Sequence, residues 1–430
     1  MNILIINEVC GITSTGKICA HIAGQFEKEG HNVKIAFGRD FYVPEAFRRY
    51  AVPIGSKLDV YCHMIRARLL DRSGFGSARA TKSFLKWAES FNPDFIWLHN
   101  LHGYYLNIDL LFSWLKKHPS ARVFWTLHDC WAFTGHCAYF SYQQCSKWKT
   151  GCEACPQKKE YPKSWCLDQS RRNYADKKAI FTGVRNLTLI TPSQWLADLT
   201  RSSFLSEYPV RVLHNTLDTS IFKPTASSLR QQLSATDSTV LMGIANVWEK
   251  RKGLDAFLML AAVLPSTYTL VLVGLTDQQI HSIAQRFSQS PITFSNPTVC
   301  TVQERDLSFV QQFQETLPTD DGILFCNEKG VAFKQDIRYI YRYLHVKESN
   351  EPGGARLVLY QKTNNMQELV NLYSMSDYLI NPTLEDNYPT VNLEAAACGT
   401  QVLTFDTGGS RETLMHSEDK GVDLCQFICS

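Results

Sequence analysis

Three groups of residues in this chain have types and spacings that chemistry can use. Lys250, Arg251 and Lys252 follow the apolar run STVLMGIAN and precede a helical pattern. Cations at the C-terminal edge of a strand can hold a diphosphate. Asp386 and Glu394 stand eight apart in NPTLEDNYPTVNLEAAACGT and bracket the start of a helix. Carboxylates accept hydrogen bonds from hydroxyls, and the backbone N–H groups between them can face an anion. His128-Asp129 closes the run RVFWTLHD. In an open parallel sheet such a position faces the ligand crevice, where an imidazole can hydrogen-bond a ligand or serve as a base. Each group also has a plain structural alternative: a solvated helix start, acids capping a helix, or a histidine that only packs.

Further residues are of a chemical type. The loop Gly11-Ile12-Thr13-Ser14-Thr15-Gly16 follows the first apolar run and opens a helix, whose free N–H groups favour anions. It lacks the G-x-G-x-x-G spacing of a dinucleotide loop. Cys137, Cys145, Cys152 and Cys155 give C-x7-C-x6-C-x2-C, a set that can close a tetrahedral structural zinc site. Cys130, Cys166, His128 and His136 are nearby rival ligands, and free or redox-active thiols are the other reading. Four protein ligands leave no open position, so a catalytic metal is not expected. The segment Lys57–Lys86 carries seven Lys/Arg and two acids among apolar residues. It reads as a solvated helical face or as a basic amphipathic surface for an anionic membrane.

The elements that must position these groups are legible as a rhythm. NILIIN, NVKIAFG, DFIWLHN, RVFWTLHD, NLTLITPS and VRVLHNTLD are short apolar strands separated by helical stretches, including Lys17 to Lys28 and Leu106 to Lys117. Continuous apolar strands joined by helices indicate a parallel sheet covered on both faces. The rhythm restarts with STVLMGIAN, a helix at Gly253 to Val263, and TLVLVGL. It ends with DYLINPT and TQVLTFDT around a helix at Thr390 to Ala397. Two doubly wound α/β domains are expected, 1–222 and 223–430, divided near Phe222-Lys223-Pro224. Two segments break the pattern: a Cys-rich loop at about 129–172, and an insertion at about 288–356 with a strand at Gly322 to Cys326 and a helix at Asp336 to His345.

The chain has 430 residues, 44% hydrophobic and 20% charged, with a formal net charge of +3. That is globular composition, and it does not read as a dedicated nucleic-acid binder, which is usually far more basic. MNILIINEVCG carries no basic leader or cleavage site. The longest apolar stretch, Leu254 to Leu275, is broken by Asp255, Pro265, Ser266 and Thr267. A cytoplasmic protein with reduced thiols is expected, at the inner face of the membrane if the basic segment binds lipid.

Taken together, TLHDCWAFTGHC with GCEACPQKKEYPKSW, NVWEKRKGLDAF, and the run from KTNNMQELV to TGGSRE resemble the retaining glycosyltransferases of family 4, in a bacterial surface-polysaccharide branch. The resemblance implies the GT-B architecture: two Rossmann-like domains facing a cleft, the first for acceptor and the second for a nucleotide-sugar donor. It implies that Asp386 holds donor sugar hydroxyls and Glu394 the ribose. Lys252, with Arg251, would stabilise the leaving diphosphate, and His128 would stand near the reacting sugar. Gly16, Asn387, Thr390 and Val391 would complete donor binding. Two positions depart from the family pattern: Asn246 stands where arginine is common, and Asp386 where glutamate is usual. The implied reaction is retaining transfer from a UDP- or GDP-sugar to a glycan or lipid-linked acceptor. No catalytic cofactor is expected, because the chain has no D-x-D triplet to bridge a metal to the donor. An epimerase or hydrolase of the same architecture, or a non-catalytic nucleotide-sugar binder, are the alternatives.

Overall fold

The computed structural model describes residues 1–288, 295–306, 324–326, 336–347 and 353–415. The chain divides into two compact units, Met1–Thr216 and the described residues from Leu217 onward.

The first unit is built on seven parallel strands: β1 (Asn2–Ile6), β2 (Asn32–Phe37), β3 (Ala51–Pro53), β4 (Phe95–Leu98), β5 (Arg122–Thr126), β6 (Leu187–Thr191) and β7 (Val210–Val212). Their order across the sheet is β3-β2-β1-β4-β5-β6-β7. The run NILII is apolar throughout because both of its faces are covered. Ile3 and Ile5 enter one core cluster, while Leu4 and Ile6 enter another on the opposite face. Each such side chain contributes roughly 1.5–3 kcal/mol by leaving water. The covering helices are α1 (Thr13–Lys28), α2 (Lys57–Leu70), α3 (Ala78–Phe91), α4 (Ile108–Lys117), α5 (Ser170–Phe181) and α6 (Gln194–Arg201). α4 starts where Asn107 accepts the Leu110 N–H, and α2 starts on a capping box between Ser56 and Asp59.

α1 begins four residues earlier than the apolar pattern suggests. Only Gly11 and Ile12 of the Gly11–Gly16 segment precede it, and Gly16 lies within its first turn. The segment is therefore mostly helix. Gly16 is required there by packing, because a Cβ would come within 2.9 Å of Val9 Cγ2.

In the second unit the strands are β8 (Thr239–Ile244), β9 (Tyr268–Val273), β10 (Thr298–Thr301), β11 (Leu324–Cys326), β12 (Arg356–Tyr360), β13 (Tyr378–Asn381) and β14 (Gln401–Phe405). Their order is β10-β12-β9-β8-β13-β14-β11. The five central strands are parallel, whereas β10 and β11 pair antiparallel with β12 and β14. The helices are α7 (Leu229–Gln232), α8 (Leu254–Val263), α9 (Asp277–Phe287), α10 (Ile337–Tyr343), α11 (Met366–Met375), α12 (Thr390–Ala397) and α13 (Glu412–Met415). The expected strand and helix of the inserted segment thus exist as β11 and α10, although Gly322 lies outside the described residues. β12 is a further strand at the segment's C-terminal border.

Both sheets reverse direction once. In the first, the chain winds outward from β1 to β3, then returns to place β4 beside β1. In the second it returns from β12 to place β13 beside β8. Ligand crevices of open α/β sheets form at such switch points, outside the strands' C-terminal ends.

Candidate functional site

In the second unit the switch point gathers the predicted cations and one predicted acid. After β8 the chain passes Asn246 and forms a 3-10 turn at Lys250–Lys252, then enters α8 through Gly253. Gly253 sits at φ 75°, and a Cβ there would lie 2.4 Å from the Pro382 carbonyl oxygen. This close approach laces the β8 loop to the β13 loop. The Leu384 N–H donates to Arg251 O at 2.8 Å, and Arg251 Nη1 donates to Glu385 O at 2.7 Å. Lys252 Nζ makes a short hydrogen bond to Asp386 Oδ2, with Arg251 Nη1 3.6 Å from the same oxygen. Burial alone would raise the Asp386 carboxyl, but Lys252 and Arg251 outweigh it and hold the group below its usual range. It is ionised.

The loop after β14 fixes Asp386 from behind. Gly409 N–H donates to Asp386 O at 2.9 Å. Gly408, at φ 60°, has only 1.9 Å between an added Cβ and that oxygen. Asn387 is buried beside it, and Pro389 precedes α12, which has no side-chain cap. Thr390 and Val391 open this helix, so its first-turn N–H groups belong to the same loop as Asp386. One turn further, Glu394 Oε2 accepts the hydroxyl hydrogen of the buried Tyr373 at 2.9 Å. Asn392, between them, is locked to Asn381 and Thr413 at 2.9 Å each, tying β13, α12 and α13 together.

In the first unit His128 lies two residues past the end of β5, and sequence reasoning missed most of what surrounds it. His128 Nε2 and His99 Nδ1, at the ends of neighbouring strands, are hydrogen-bonded at 2.9 Å with their rings stacked. Burial lowers both, His128 to about 4, so the pair is neutral near pH 7. His102 bridges Asp129 Oδ2 at 2.9 Å and the Tyr161 hydroxyl at 2.9 Å. Glu8, past the end of β1, is paired with Arg39 at 2.6 Å. The segment LHNLH at the end of β4 carried the signal: it ends a buried strand adjacent to the one that leads into His128.

The Cys-rich segment differs in its two halves. Trp131, Phe133, Phe140 and Trp148 pack into the core of the first unit, the rings of the last three 5.0–6.3 Å apart. The later half has no regular structure, and Trp165 and Leu167 are exposed. Cys137, Cys145, Cys152 and Cys155 line one small cavity.

The fold and this site define a class: two successive doubly wound units with a cation–carboxylate pair at the second switch point. Sucrose-phosphate synthase of Thermosynechococcus elongatus has the same fold, with a TM-score of 0.56 and 14% identity over 98% of this chain and 85% of that one. The expectation of two Rossmann-like domains in the GT-B manner thus holds. Residues 347–423 match the family model described as Glycosyl transferases group 1, a stretch that contains Asp386 and Glu394. The chain is also similar to the putative colanic acid biosynthesis glycosyl transferase WcaC of Escherichia coli (strain K12), 31% identical over 157 residues. That match covers 35% of this chain and 37% of the length of WcaC. The likeness to glycosyltransferases of group 1 that the motifs carry is therefore shown.

Proposed function

We propose that this protein is a retaining glycosyltransferase of surface-polysaccharide synthesis, taking a UDP- or GDP-sugar in its second unit. The sugar passes to a hydroxyl of a glycan or lipid-linked acceptor held by the first unit. The observation that carries this reading is the partly buried meeting of Lys252, Arg251 and ionised Asp386 at the β8/β13 switch point, next to the start of α12, which has no side-chain cap.

A diphosphate offers Lys252 and Arg251 a stronger partner than Asp386 alone. With donor bound, Lys252 turns to the diphosphate and Asp386 accepts from sugar hydroxyls. Glu394, steadied by Tyr373, takes the ribose hydroxyls. Gly16, Asn387, Thr390 and Val391 contribute backbone and close packing to the same donor. As the glycosidic bond breaks, charge grows on the departing phosphate, and Lys252, Arg251 and the α12 N–H groups stabilise it. The departing phosphate takes the acceptor's proton, so no protein nucleophile is required. His128, neutral in its pair with His99, acts as a hydrogen-bonding partner of the sugar.

Among the described residues no helix is long and apolar enough to cross a membrane. The basic segment supports a peripheral contact at the inner face of the membrane instead. Leu58 is 70% and Tyr61 57% exposed on α2, and Leu69 and Leu70 continue that exposed apolar surface beside Arg66.

The test is acceptor-dependent release of nucleoside diphosphate. Lys252→Ala should lower kcat by roughly 10²–10³-fold, the usual loss when one charge-stabilising group is removed. Turnover equal to that of the unmodified protein would refute the assignment. Release that needs no acceptor would point to a hydrolase, and donor binding without release to a non-catalytic binder.

A further inference from the structure

The Cys-rich segment brings four thiols to one place. Cys137, Cys145, Cys152 and Cys155 enclose a cavity of about 10 Å³, backed by Phe140 and Trp148. All four are free of disulfides. Cys137 and Cys155 lie close enough for each to affect the other's ionisation. Cys152 Sγ accepts the Gly135 N–H at 3.1 Å. The C-x2-C turn is held in shape by Lys147, whose Nζ donates to Glu153 O at 2.9 Å and Ala154 O at 3.3 Å. Asp168 fixes its far end by accepting the Cys155 N–H at 2.7 Å.

We propose that these four cysteines are the ligands of a structural zinc ion that staples the later half of the segment to the core. The chemistry fits in three respects. First, thiolates are the preferred ligands of tetrahedral structural zinc, and Cys152 and Cys155 form one close C-x2-C pair of the kind such sites use, with Cys137 and Cys145 spaced more widely than a second pair. Second, sulfur ligands of such ions accept backbone N–H bonds, as Cys152 does from Gly135. Third, four thiolates around one divalent ion leave two negative charges. The fully buried Lys177 lies near enough to Cys152 and Cys137 to interact with them, its Nζ donating to Trp131 O and Thr134 O. Among the described residues no three His, Cys, Asp or Glu side chains already sit in metal-bonding geometry. A bound zinc would be held by the four cysteines as thiolates, their protons passing to solvent.

The staple has a consequence for the first unit's strand ends. Tyr161 belongs to the stapled half, and it holds His102, which in turn holds Asp129 next to His128. The ion is a positioning element for that cluster and takes no part in bond breaking.

The experiment is metal analysis of the full chain, grown with added zinc and purified under reducing conditions without chelator. One zinc per chain is expected, retained when exposed Cys62 is changed to Ser and lost in Cys152→Ser and Cys155→Ser. If those variants fold poorly, cobalt replacement of the unmodified protein decides. Intense thiolate-to-cobalt absorption with a tetrahedral spectrum supports the site. Substoichiometric zinc, zinc undiminished in Cys152→Ser, or a cobalt spectrum without thiolate bands overturns it.

Discussion

At the scale of single residues, the site depends on charges that are largely withdrawn from water yet paired. Asp386 is the clearest case, since two cations keep it ionised in a partly buried place. Asp386→Asn keeps the shape but removes the charge that Lys252 faces, so donor turnover should fall at least about tenfold while the thermal midpoint stays within a few degrees. Steady-state kinetics with a melting curve check this, and unchanged kcat/KM would contradict it. The His99–His128 pair gives a pH dependence. His128 titrates near 4 in the fold, against 6.5 ordinarily. A depressed pKa means the unfolded chain takes up protons first as pH falls. This contribution to stability is complete above about pH 6.5 and is lost progressively between there and about pH 4. Denaturation midpoints measured from pH 7 to 4.5 should decline, and the decline should be shallower in a His128→Asn variant. The placement of Asp386 and Glu394 was legible in the sequence because they sit in a compact spacing on one loop and helix. His99 and Glu8 were not, because their significance comes only from strand neighbours some 30 and 90 residues away in the chain.

At the scale of elements, the turns matter more than the strands they join. Gly408 has a left-handed φ and no room for a Cβ against the Asp386 carbonyl. Gly408→Ala should destabilise the protein by about 1–3 kcal/mol, the order of forced backbone strain, and weaken donor binding as Asp386 shifts. Denaturant titration and donor affinity would show it; an unchanged midpoint would mean the loop is looser than its geometry. α2 is the other instructive element. Most of its apolar side chains stay in water, and Trp165 and Leu167 hydrogen-bond alongside it through Arg68 O and Leu69 O. Anionic phosphatidylglycerol vesicles should carry the protein upward in flotation, and Leu58→Glu with Tyr61→Glu should abolish that. Flotation with neutral vesicles alone, or no effect of the acids, would remove the membrane role. The parallel strands were legible because burial on both faces leaves uninterrupted apolar runs. β11 was expected from its own short apolar run, but the edge strand β10 was not. It is four residues long, and its partner β12 lies far along the chain, so local pattern says little about it. The start of α1 was misplaced for a related reason: Thr and Ser between two glycines look like a loop, and the packing of Gly16 on Val9 decides otherwise.

At the scale of the whole molecule, two sheets of one winding rule each put polar residues at a single switch point. The second carries the cations and acids of the proposed nucleotide-sugar site. The first carries histidines and carboxylates suited to hydroxyl groups. The central claim is that Lys252 and its neighbours receive the nucleoside diphosphate. Titration calorimetry of uridine and guanosine diphosphate into the full chain tests it most directly, with Lys252→Ala as the comparison. A charge-assisted hydrogen bond contributes about 1.5–3 kcal/mol, so affinity for the preferred nucleotide should fall roughly 10–150-fold in the variant. Equal affinity in both proteins, or no binding of either nucleotide to the unmodified chain, would contradict the account.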